Sequence, residues 1–206
     1  MEIIILKDQI NQNSGCGSAM NTVLSLFDYS GNWSRPYREA GYNVIQIDKK
    51  LGTDILTWDY TQVHEEVNKI LIAFPCDNYA LSGAKHFYRK DHDGTTQKSQ
   101  ELLEIIRGLL LFFEPDTWCL EQPMTRLHKL NTWLGEVRFK FNPYDFGDSN
   151  QKMTWLFGKF NNPIKTPGKN LGNWMFTNRG GKSERTKELR SNTDLGFSYA
   201  FFEANK

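Results

Sequence analysis

Short apolar runs alternate along the chain with longer stretches in which apolar residues recur at helical spacing. The runs are rich in Val, Ile, Leu and Phe and end at polar or glycine-containing turns, which predicts buried strands. Predicted strands cover residues 2–6, 22–27, 42–48, 70–74, 117–121, 136–141 and 153–158. Predicted helices cover residues 34–41, 60–70, 99–114, 126–134 and 195–205. This alternation predicts an α/β fold with a mostly parallel central sheet and helices on both faces.

Two stretches fit neither pattern. Residues 11–22 are small and polar, and we expect a loop there. Residues 161–183 contain six Gly or Pro and three Lys, and an irregular stretch of this length is usually functional or mobile. The sequence therefore predicts a single domain, residues 1–206, that carries one long basic loop.

The composition argues against several classes of protein. Cys16, Cys76 and Cys119 are odd in number and scattered, which argues against a disulfide framework and against a zinc site. The four histidines show no metal-ligand spacing, so no metal is expected. No run of 18 apolar residues occurs, and the N-terminus lacks the basic region of a signal peptide. We expect a cytoplasmic protein with no membrane partner.

Charge is distributed unevenly along the chain. Residues 1–150 carry 15 Lys and Arg against 20 Asp and Glu, whereas residues 151–206 carry 10 against 4. A local excess of positive charge suits an anionic partner such as a nucleic-acid backbone. A solvated basic surface with no partner would give the same counts, so charge alone leaves both interpretations open.

Polar residues follow the first predicted strands at the edge where ligands of α/β sheets bind. Residues 27–33 (FDYSGNW) form a turn in which Gly31 lets the backbone approach a ligand closely. Asp48 ends the next strand, about 20 residues on, where an acid can bond to ribose hydroxyls. Asp54 follows on the same edge. Together they indicate a nucleoside-shaped ligand, although either aspartate alone would suit a solvated turn.

Cys76 and Glu121 stand at the ends of two further strands. Cys76 follows Pro75 directly after LIAF, and Glu121 lies in LEQP. Taken singly, a free cysteine is often a small buried hydrophobe, and an acid at a helix start is often stabilised by the helix dipole. In one pocket they would form a nucleophile that adds to an electron-poor ring and an acid that protonates it.

Taken together, these segments resemble the cytosine-5 DNA methyltransferases, particularly short phage-type members, from about residue 22 to the C-terminus. SLFDYSGNWSRPYREAGYNVIQID is similar to that family's S-adenosylmethionine (SAM) loop and second-strand acid, and GTDI to its third cofactor segment. The resemblance implies a Rossmann-like, SAM-dependent methyltransferase fold with S-adenosyl-L-methionine as cofactor. The cofactor-binding residues that it implies are Phe27, Asp28, Ser30, Gly31, Trp33, Asp48, Asp54 and Pro75.

The same resemblance assigns the catalytic residues. FPCDNYALSG looks like the family's nucleophile loop and LEQP like its Glu-Asn-Val segment. Cys76 would then add to C6 of cytosine, Glu121 would bond the ring at N3 and the exocyclic amine, and C5 would take the SAM methyl group. Lys152, in QKMT, stands where the family has a Gln-x-Arg-x-Arg strand, and it supplies one cation without the forked guanidinium.

The chain departs from the family in its recognition region. The large target-recognition insertion is missing, so we expect a short or lax sequence preference on DNA. A cytosine must leave its stack, because C6 is inaccessible in a duplex. Trp174 and Phe176 would stack on a base. Phosphate contacts are expected from Lys159, Lys165, Lys169, Arg179, Lys182 and Arg185.

Several alternatives stay open. The same chemistry could act on RNA or a free nucleotide, and an amino-methyltransferase or a degenerate SAM- or nucleic-acid-binding protein would share parts of the pattern. AFPCDNYA lacks the double proline typical of amino-methyltransferases. The lost arginine pair favours a degenerate member, whereas the intact Cys76 and Glu121 speak against it. Residues 83–100 are interpreted either as a mobile lid that closes behind the flipped base or as a solvated loop.

Overall fold

The computed structural model describes residues 21–172 and 191–206. The predicted strand at residues 2–6, most of the predicted loop at 11–22 and Cys16 lie outside the described residues. Within the described ranges, six strands form one mixed sheet. The strands are β1 (Thr22–Leu26), β2 (Asn43–Ile47), β3 (Val67–Ile72), β4 (Thr117–Pro123), β5 (Phe139–Phe141) and β6 (Thr154–Lys159).

The order of the strands is β2-β1-β3-β4-β6-β5. Strands β1 to β4 run parallel, and β6 is antiparallel to both of its neighbours. β2 pairs on one side of β1 and β3 on the other, so the direction of the strand order reverses there. In doubly wound sheets such a reversal opens a crevice beyond the carboxyl ends of the two central strands.

Helices lie on both faces of the sheet, which confirms the predicted mostly parallel α/β architecture. The α-helices are α1 (Arg35–Glu39), α2 (Phe87–His92), α3 (Thr95–Phe113), α4 (Leu127–Leu130) and α5 (Leu195–Asn205). Short 3-10 turns cover Lys49–Leu51, Tyr60–Gln62, Leu81–His86, Thr132–Leu134 and Pro143–Phe146.

The longest helix, α3, covers one face of the sheet. Leu103, Ile106 and Leu109 recur at helical spacing and are fully buried in the cluster that contains Leu24 and Ile70. Burying each such side chain contributes about 1.5–3 kcal/mol relative to leaving it exposed. The apolar stripe of the helix therefore fixes its position across β1 and β3.

Helices α1 and α5 cover the other face. Tyr37 of α1 and Phe197 and Phe201 of α5 are fully buried with Val23 and other strand residues that alternate with those facing α3. Gly196 permits close seating of the first turn of α5, because any side chain there would collide with the carbonyl oxygen of Phe146. This close approach brings the start of α5 to the carboxyl edge of the sheet.

The helix predicted for residues 60–70 is wrong. A 3-10 turn covers Tyr60–Gln62, and the strand β3 begins at Val67. Tyr60, Val63, Val67 and Ile70 are spaced as on a helix, which misled the prediction. Both faces of β3 are covered, so the strand is buried at nearly every position and lacks the alternation that marks a half-exposed strand.

Residues 83–100 are helical, which contradicts the interpretation of this segment as a solvated loop, while closure of the segment as a lid stays a prediction. The stretch comprises the end of a 3-10 turn, α2 and the start of α3, with Gly94 at a left-handed φ of 82° between the two helices. Its charged side chains mostly face solvent, and Arg89 pairs with Asp93 one turn away at 3.0 Å. A short, highly charged helix carries little apolar periodicity, which explains why the sequence pattern indicated a loop.

The described part of the predicted long loop, residues 161–172, is irregular and runs back along residues 144–151. Thr166 N donates to Asp145 O at 2.8 Å, and Leu171 N donates to Ser149 O at 2.9 Å. The chain leaves the carboxyl edge along β6 and returns toward it along this segment. No helix in residues 21–172 or 191–206 is long and apolar enough to cross a membrane.

Candidate active site

The reversal of strand order puts the loops after β1 and β3 next to each other. Leu26 and Ile72, the last residues of these strands, pair in register. The rings of Phe27 and Phe74 then meet in a T-shaped arrangement with 5.7 Å between their centroids. Because ligands of doubly wound sheets bind at this crevice, the two loops define the candidate site.

The loop after β1 is built around Asp28, which is 3% exposed. Its Oδ2 accepts hydrogen bonds from Ser25 Oγ at 3.0 Å, from Ser34 N at 3.1 Å and from Ser34 Oγ at 2.9 Å. Ser30 Oγ donates to Oδ1 at 3.5 Å. The Asp28 carboxylate is therefore engaged by the loop itself, and it holds the shape of the loop.

Two residues of this loop adopt left-handed backbone conformations. The φ angle is 60° at Phe27 and 66° at Gly31. Such a conformation costs a non-glycine residue about 1–3 kcal/mol and occurs preferentially at functional sites. The side chain of Gln46 in β2 secures the loop by donating to the carbonyl oxygens of Asp28 and Tyr29.

Trp33 lies in the core, which contradicts the expected cofactor contact of its side chain. The indole is fully buried against Phe197 and Phe201 of α5, with 5.9 Å between ring centroids in each pair. Its Nε1 has no hydrogen-bond partner among the described residues. The ring therefore anchors the end of the loop to α5.

Asp48 and Asp54 follow β2. Asp48 Oδ1 accepts from Lys50 N at 2.8 Å, and among the described residues its other oxygen accepts no hydrogen bond. Asp54 Oδ2 pairs with Lys49 Nζ at 3.0 Å while its Oδ1 accepts from Leu56 N. The hydrogen bond from Lys49 lowers the pKa of Asp54. Asp48 thus retains an oxygen for a ligand, whereas both oxygens of Asp54 are engaged.

Cys76 begins a tight turn after β3. Its carbonyl oxygen accepts from Tyr79 N at 3.0 Å, and its thiol is half-buried. Gln122 Nε2, from β4, donates to Phe74 O and ties the start of this loop to the strand that carries Glu121. The structure therefore places the two predicted catalytic residues at the ends of neighbouring strands.

Arg126 anchors this turn and is absent from the sequence-based assignments. Its guanidinium donates to Asn78 O at 3.1 and 3.3 Å and to the two Asp91 carboxylate oxygens at 2.6 and 2.7 Å. It also stacks 3.6 Å from the ring centroid of Phe87 and lowers the pKa of Asp91 to about 2. These contacts join the turn after Cys76 to α2. No local signal identifies Arg126, since Asp91 and Asn78 lie 35 and 48 residues away.

Glu121 lines a cavity of about 280 Å³ at the carboxyl edge of the sheet. Its Oε2 accepts a hydrogen bond from Thr193 Oγ1 at 2.9 Å. Burial is the largest influence on the pKa of Glu121 and raises it, and the charge of Asp28 raises it further. The charge of Lys152 and the hydrogen bond from Thr193 lower the pKa, but the net effect is an increase. A raised pKa leaves more of the carboxyl protonated near neutral pH, so that it can donate a proton or a hydrogen bond.

The cavity brings together Glu121 and Lys152, two of the three predicted catalytic residues. Asn32 of the β1 loop, residues 148 and 150, and the residues before α5 form other parts of the wall. Cys76 is not among the described residues that line the cavity. The nucleophile candidate therefore lies outside the cavity that the acid candidate lines, although both follow strands that end at the same edge of the sheet.

Asp148 and Asp194 also line the cavity and are missing from the sequence-based assignments. The pKa of Asp194 is raised to about 7, mainly by burial and also by the hydrogen-bonded Asp148 carboxyl. The hydrogen bond that Phe197 N donates to Asp194 at 2.9 Å lowers this pKa but does not offset the increase. An Asp directly before a helix is a capping signal, which hides any further role in the sequence. Within residues 21–172 and 191–206, no group of three or more His, Cys, Asp or Glu is arranged to hold a metal ion.

The predicted phosphate-binding residues separate in the structure. Lys159 pairs with Trp118 near the start of β4, at the opposite edge of the sheet, roughly 17 Å from the site end of β6. This position contradicts the expected contact of Lys159 with the phosphates of DNA bound at the site. Lys165 Nζ pairs with Asp145 at 2.8 Å, and Lys169 is exposed. Outside the described residues lie Arg179, Lys182, Arg185, Trp174 and Phe176.

Comparisons with known proteins give distant structural likenesses only. No family model matches the chain, and no curated protein matches it. A similar solved structure is that of a provisionally assigned DNA modification methyltransferase encoded within a prophage of E. coli, with a TM-score of 0.42 and 15% sequence identity. The similarity covers 68% of this chain and 46% of that chain, so this chain spans less than half the length of that protein. A likeness of this degree does not distinguish one activity from another.

Proposed function

We propose that this protein transfers a methyl group from S-adenosylmethionine to C5 of cytosine in DNA through a transient adduct on Cys76. The observation that carries the proposal is the position of Cys76 and Glu121 at the ends of the adjacent strands β3 and β4. This edge lies beside the crevice where the strand order reverses. The hydrogen bond from Gln122 to Phe74 O ties the two strand ends together. A thiol and a carboxyl group whose pKa is raised by burial suit addition to a pyrimidine ring in this arrangement.

The residues at the carboxyl edge fit the adenosine part of SAM. Asp48 keeps one carboxylate oxygen for the ribose hydroxyls, and the left-handed Gly31 suits a backbone that lies close to a ligand. When bound, SAM supplies a methyl group on a positively charged sulfur. Asp28 and Trp33 contribute to cofactor binding indirectly. Asp28 holds the shape of the loop after β1, and the Trp33 indole anchors that loop to α5.

Four further residues belong to the proposed cofactor site through their position at this edge. Phe27 and Ser30 come from the loop after β1, Asp54 follows β2, and Pro75 precedes the nucleophile candidate. Asp54 would contact the adenine only through a carboxylate already paired with Lys49. We therefore assign the ribose contact to Asp48 and treat Asp54 as the outer boundary of the site.

Cys76 acts as the nucleophile in this scheme. As a thiolate it forms a bond to C6 of cytosine, and the displaced electron pair makes C5 the carbon that takes the methyl group as the methyl–sulfur bond breaks. Removal of the C5 proton by a base then returns the electron pair, breaks the C6–S bond and restores Cys76. The products are 5-methylcytosine and the demethylated cofactor.

Glu121 acts as the acid toward the ring. Addition at C6 places negative charge on the ring, and a proton or hydrogen bond at N3 stabilises that charge. Because burial raises its pKa, Glu121 is suited to remain protonated when the base enters. Lys152 contributes a positive charge near Glu121 at the same cavity, where it would face the ring carbonyl or a phosphate.

DNA is the proposed partner, with the target cytosine flipped out of its stack. The carboxyl edge of the sheet is where the basic C-terminal part of the chain returns, through residues 166–172 and the residues before α5. Phosphate contacts would come from Lys169, Arg179, Lys182 and Arg185, with little sequence discrimination. Lys159 is omitted because it lies at the opposite edge, and Lys165 because its charge is paired.

Nucleoside mass spectrometry tests this proposal. The protein is incubated with methyl-labelled SAM and with duplex DNA, single-stranded DNA and RNA in separate reactions. We expect labelled 5-methylcytosine in DNA, its loss in Cys76→Ser, and its retention in the matched control Cys119→Ala, whose cysteine is buried in β4. Calorimetry should show SAM binding by Cys76→Ser, because the thiol is not part of the proposed cofactor site.

Other outcomes would redirect the proposal. A methylated amino group that survives Cys76→Ser would indicate an amino-methyltransferase. A product found only in RNA would move the same chemistry to another polymer. SAM binding by wild-type protein without any product would indicate a binding protein without turnover.

A further inference from the structure

Thr193 connects three parts of the fold at the Glu121 carboxyl. Its Oγ1 donates to Glu121 Oε2 at 2.9 Å across 72 residues of sequence, and its carbonyl oxygen accepts from Asn32 Nδ2 at 3.2 Å. Thr193 is 3% exposed, so water competes little for its hydroxyl. Thr193, two residues before α5, thus links β4, which carries the proposed acid, to the loop proposed to hold the cofactor.

We propose that Thr193 is a positioning residue that holds Glu121 through Oε2 and leaves Oε1 as the oxygen that carries the proton toward the substrate base. The inference rests on the proposed function, which places the base beside Glu121. A hydroxyl that donates to Oε2 makes this oxygen the acceptor of the carboxyl group. When Glu121 is neutral, its proton then resides on Oε1, and the acid is oriented before the substrate enters.

Three charged or titratable groups from other parts of the chain act on Glu121. Asp28 faces it from the β1 loop, Lys152 from the segment before β6 and Asp194 from the start of α5. Cys119 lies on the same strand, where its own pKa is raised by burial and by Glu121. Substitution of Thr193 changes none of these groups, so an altered titration of Glu121 isolates the contribution of the hydroxyl.

Thr193→Val removes the hydroxyl with little change in volume, and Thr193→Ser retains it. The readout is the pH titration of the Glu121 carboxyl by carbon-13 NMR, with Glu121→Gln used to identify the signal. We expect the titration to move to higher pH in Thr193→Val and to stay near wild type in Thr193→Ser. An unchanged titration in Thr193→Val overturns the inference. If burial of the second methyl group prevents folding, Thr193→Ala removes the same donor without excess volume and must give the same shift.

The methyl-transfer reaction gives a second, separable readout. Loss of a hydrogen bond to an ionisable group should lower kcat about tenfold or more in Thr193→Val, with recovery in Thr193→Ser. The alkaline limb of the kcat profile should move to higher pH together with the carboxyl titration. In a Glu121→Gln background, Thr193→Val should cause no further loss, and a fully additive loss overturns the inference.

The two readouts distinguish failure of this inference from failure of the proposed function. The carboxyl titration needs no substrate, so a shift without any wild-type methyl transfer would contradict the proposed function while supporting the contact between Thr193 and Glu121. Methyl transfer by the wild type with an unchanged titration would support the function and overturn the positioning role.

Discussion

At the residue scale, two carboxyl groups at the edge of the sheet have pKa values raised for partly different reasons. For Glu121 burial in the cavity is the main cause, whereas Asp194 is affected by burial and by the neighbouring Asp148. Only Glu121 is also held by a hydroxyl from a distant segment. We therefore assign the acid role to Glu121 and expect Asp194 to influence stability more directly.

Asp194→Asn should make the protein more stable above neutral pH. Folding raises the pKa of Asp194 from 3.8 to about 7, so between these values the folded state retains a proton that the unfolded state has lost. The contribution of Asp194 to the free energy of unfolding is therefore intact below about pH 4 and is lost as the pH rises to about 7. Asparagine can accept the same capping bond without ionising. A shift of this size corresponds to about 4 kcal/mol for a fully shielded group. Because Asp194 is only half-buried, we expect a gain on the order of 1–2 kcal/mol at about pH 8 and little difference at about pH 4, measured by urea denaturation.

The matched control for this prediction is Asp59→Asn. Asp59 also caps a short turn, but it is exposed, and its pKa is lowered by hydrogen bonds from Thr61. The Asp59 variant should therefore gain no stability at high pH. Parallel stability curves for wild type and Asp194→Asn between about pH 4 and 8 would contradict the raised pKa of the half-buried Asp194.

At the element scale, the connection between β4 and α4 holds the turn that carries Cys76. Arg126 N donates to Tyr79 O, and Leu81 N donates to Met124 O. The Arg126 guanidinium adds charged hydrogen bonds to Asn78 O and Asp91. The nucleophile candidate thus lies on a turn fixed by two neighbouring elements, as expected where a reactive atom must be held in place.

Arg126→Met should loosen this turn. The side chain is 15% exposed and makes several charge-assisted hydrogen bonds, so we expect a loss of about 1–3 kcal/mol in stability. Hydrogen exchange at residues 77–81 should accelerate, and methyl transfer should fall by more than the loss of folded protein explains. The control Arg89→Met removes an ion pair whose arginine is 67% exposed and should cost less than about 1 kcal/mol. Equal effects of the two variants would contradict the anchoring role of Arg126.

Much of the sheet could be predicted from the sequence, because its strands are short apolar runs that end at recognisable turns. β1, β2 and β4 begin within a residue of their predicted starts. The candidate residues Cys76, Glu121 and Asp48 stand at strand ends, which local pattern reveals. The contacts of Thr193 and Arg126 could not be predicted, since they join segments 35 to 161 residues apart and depend on how the elements fold together.

At the scale of the whole molecule, carboxyl groups and the basic C-terminal segment meet at the same edge of the sheet, which carries the candidate site. Glu121, Asp148 and Asp194 line the cavity, and Lys152 lies among them. Of the predicted phosphate contacts that the structure describes, Lys159 is at the far edge and Lys165 is paired with Asp145. We therefore propose that phosphate binding falls to Lys169 and to Arg179, Lys182 and Arg185, around a cavity suited to an uncharged base.

The most direct test of the central claim is to trap the adduct on Cys76. DNA with fluorine in place of hydrogen at C5 of cytosine allows addition and methyl transfer but offers no proton for the final elimination, so the C6–S bond should persist. We predict that intact-protein mass spectrometry with SAM present will show a covalent protein–DNA species that maps to Cys76 and is absent from Cys76→Ser. Methylation of ordinary cytosine in DNA without any trapped species, or an adduct on another residue, would contradict the account.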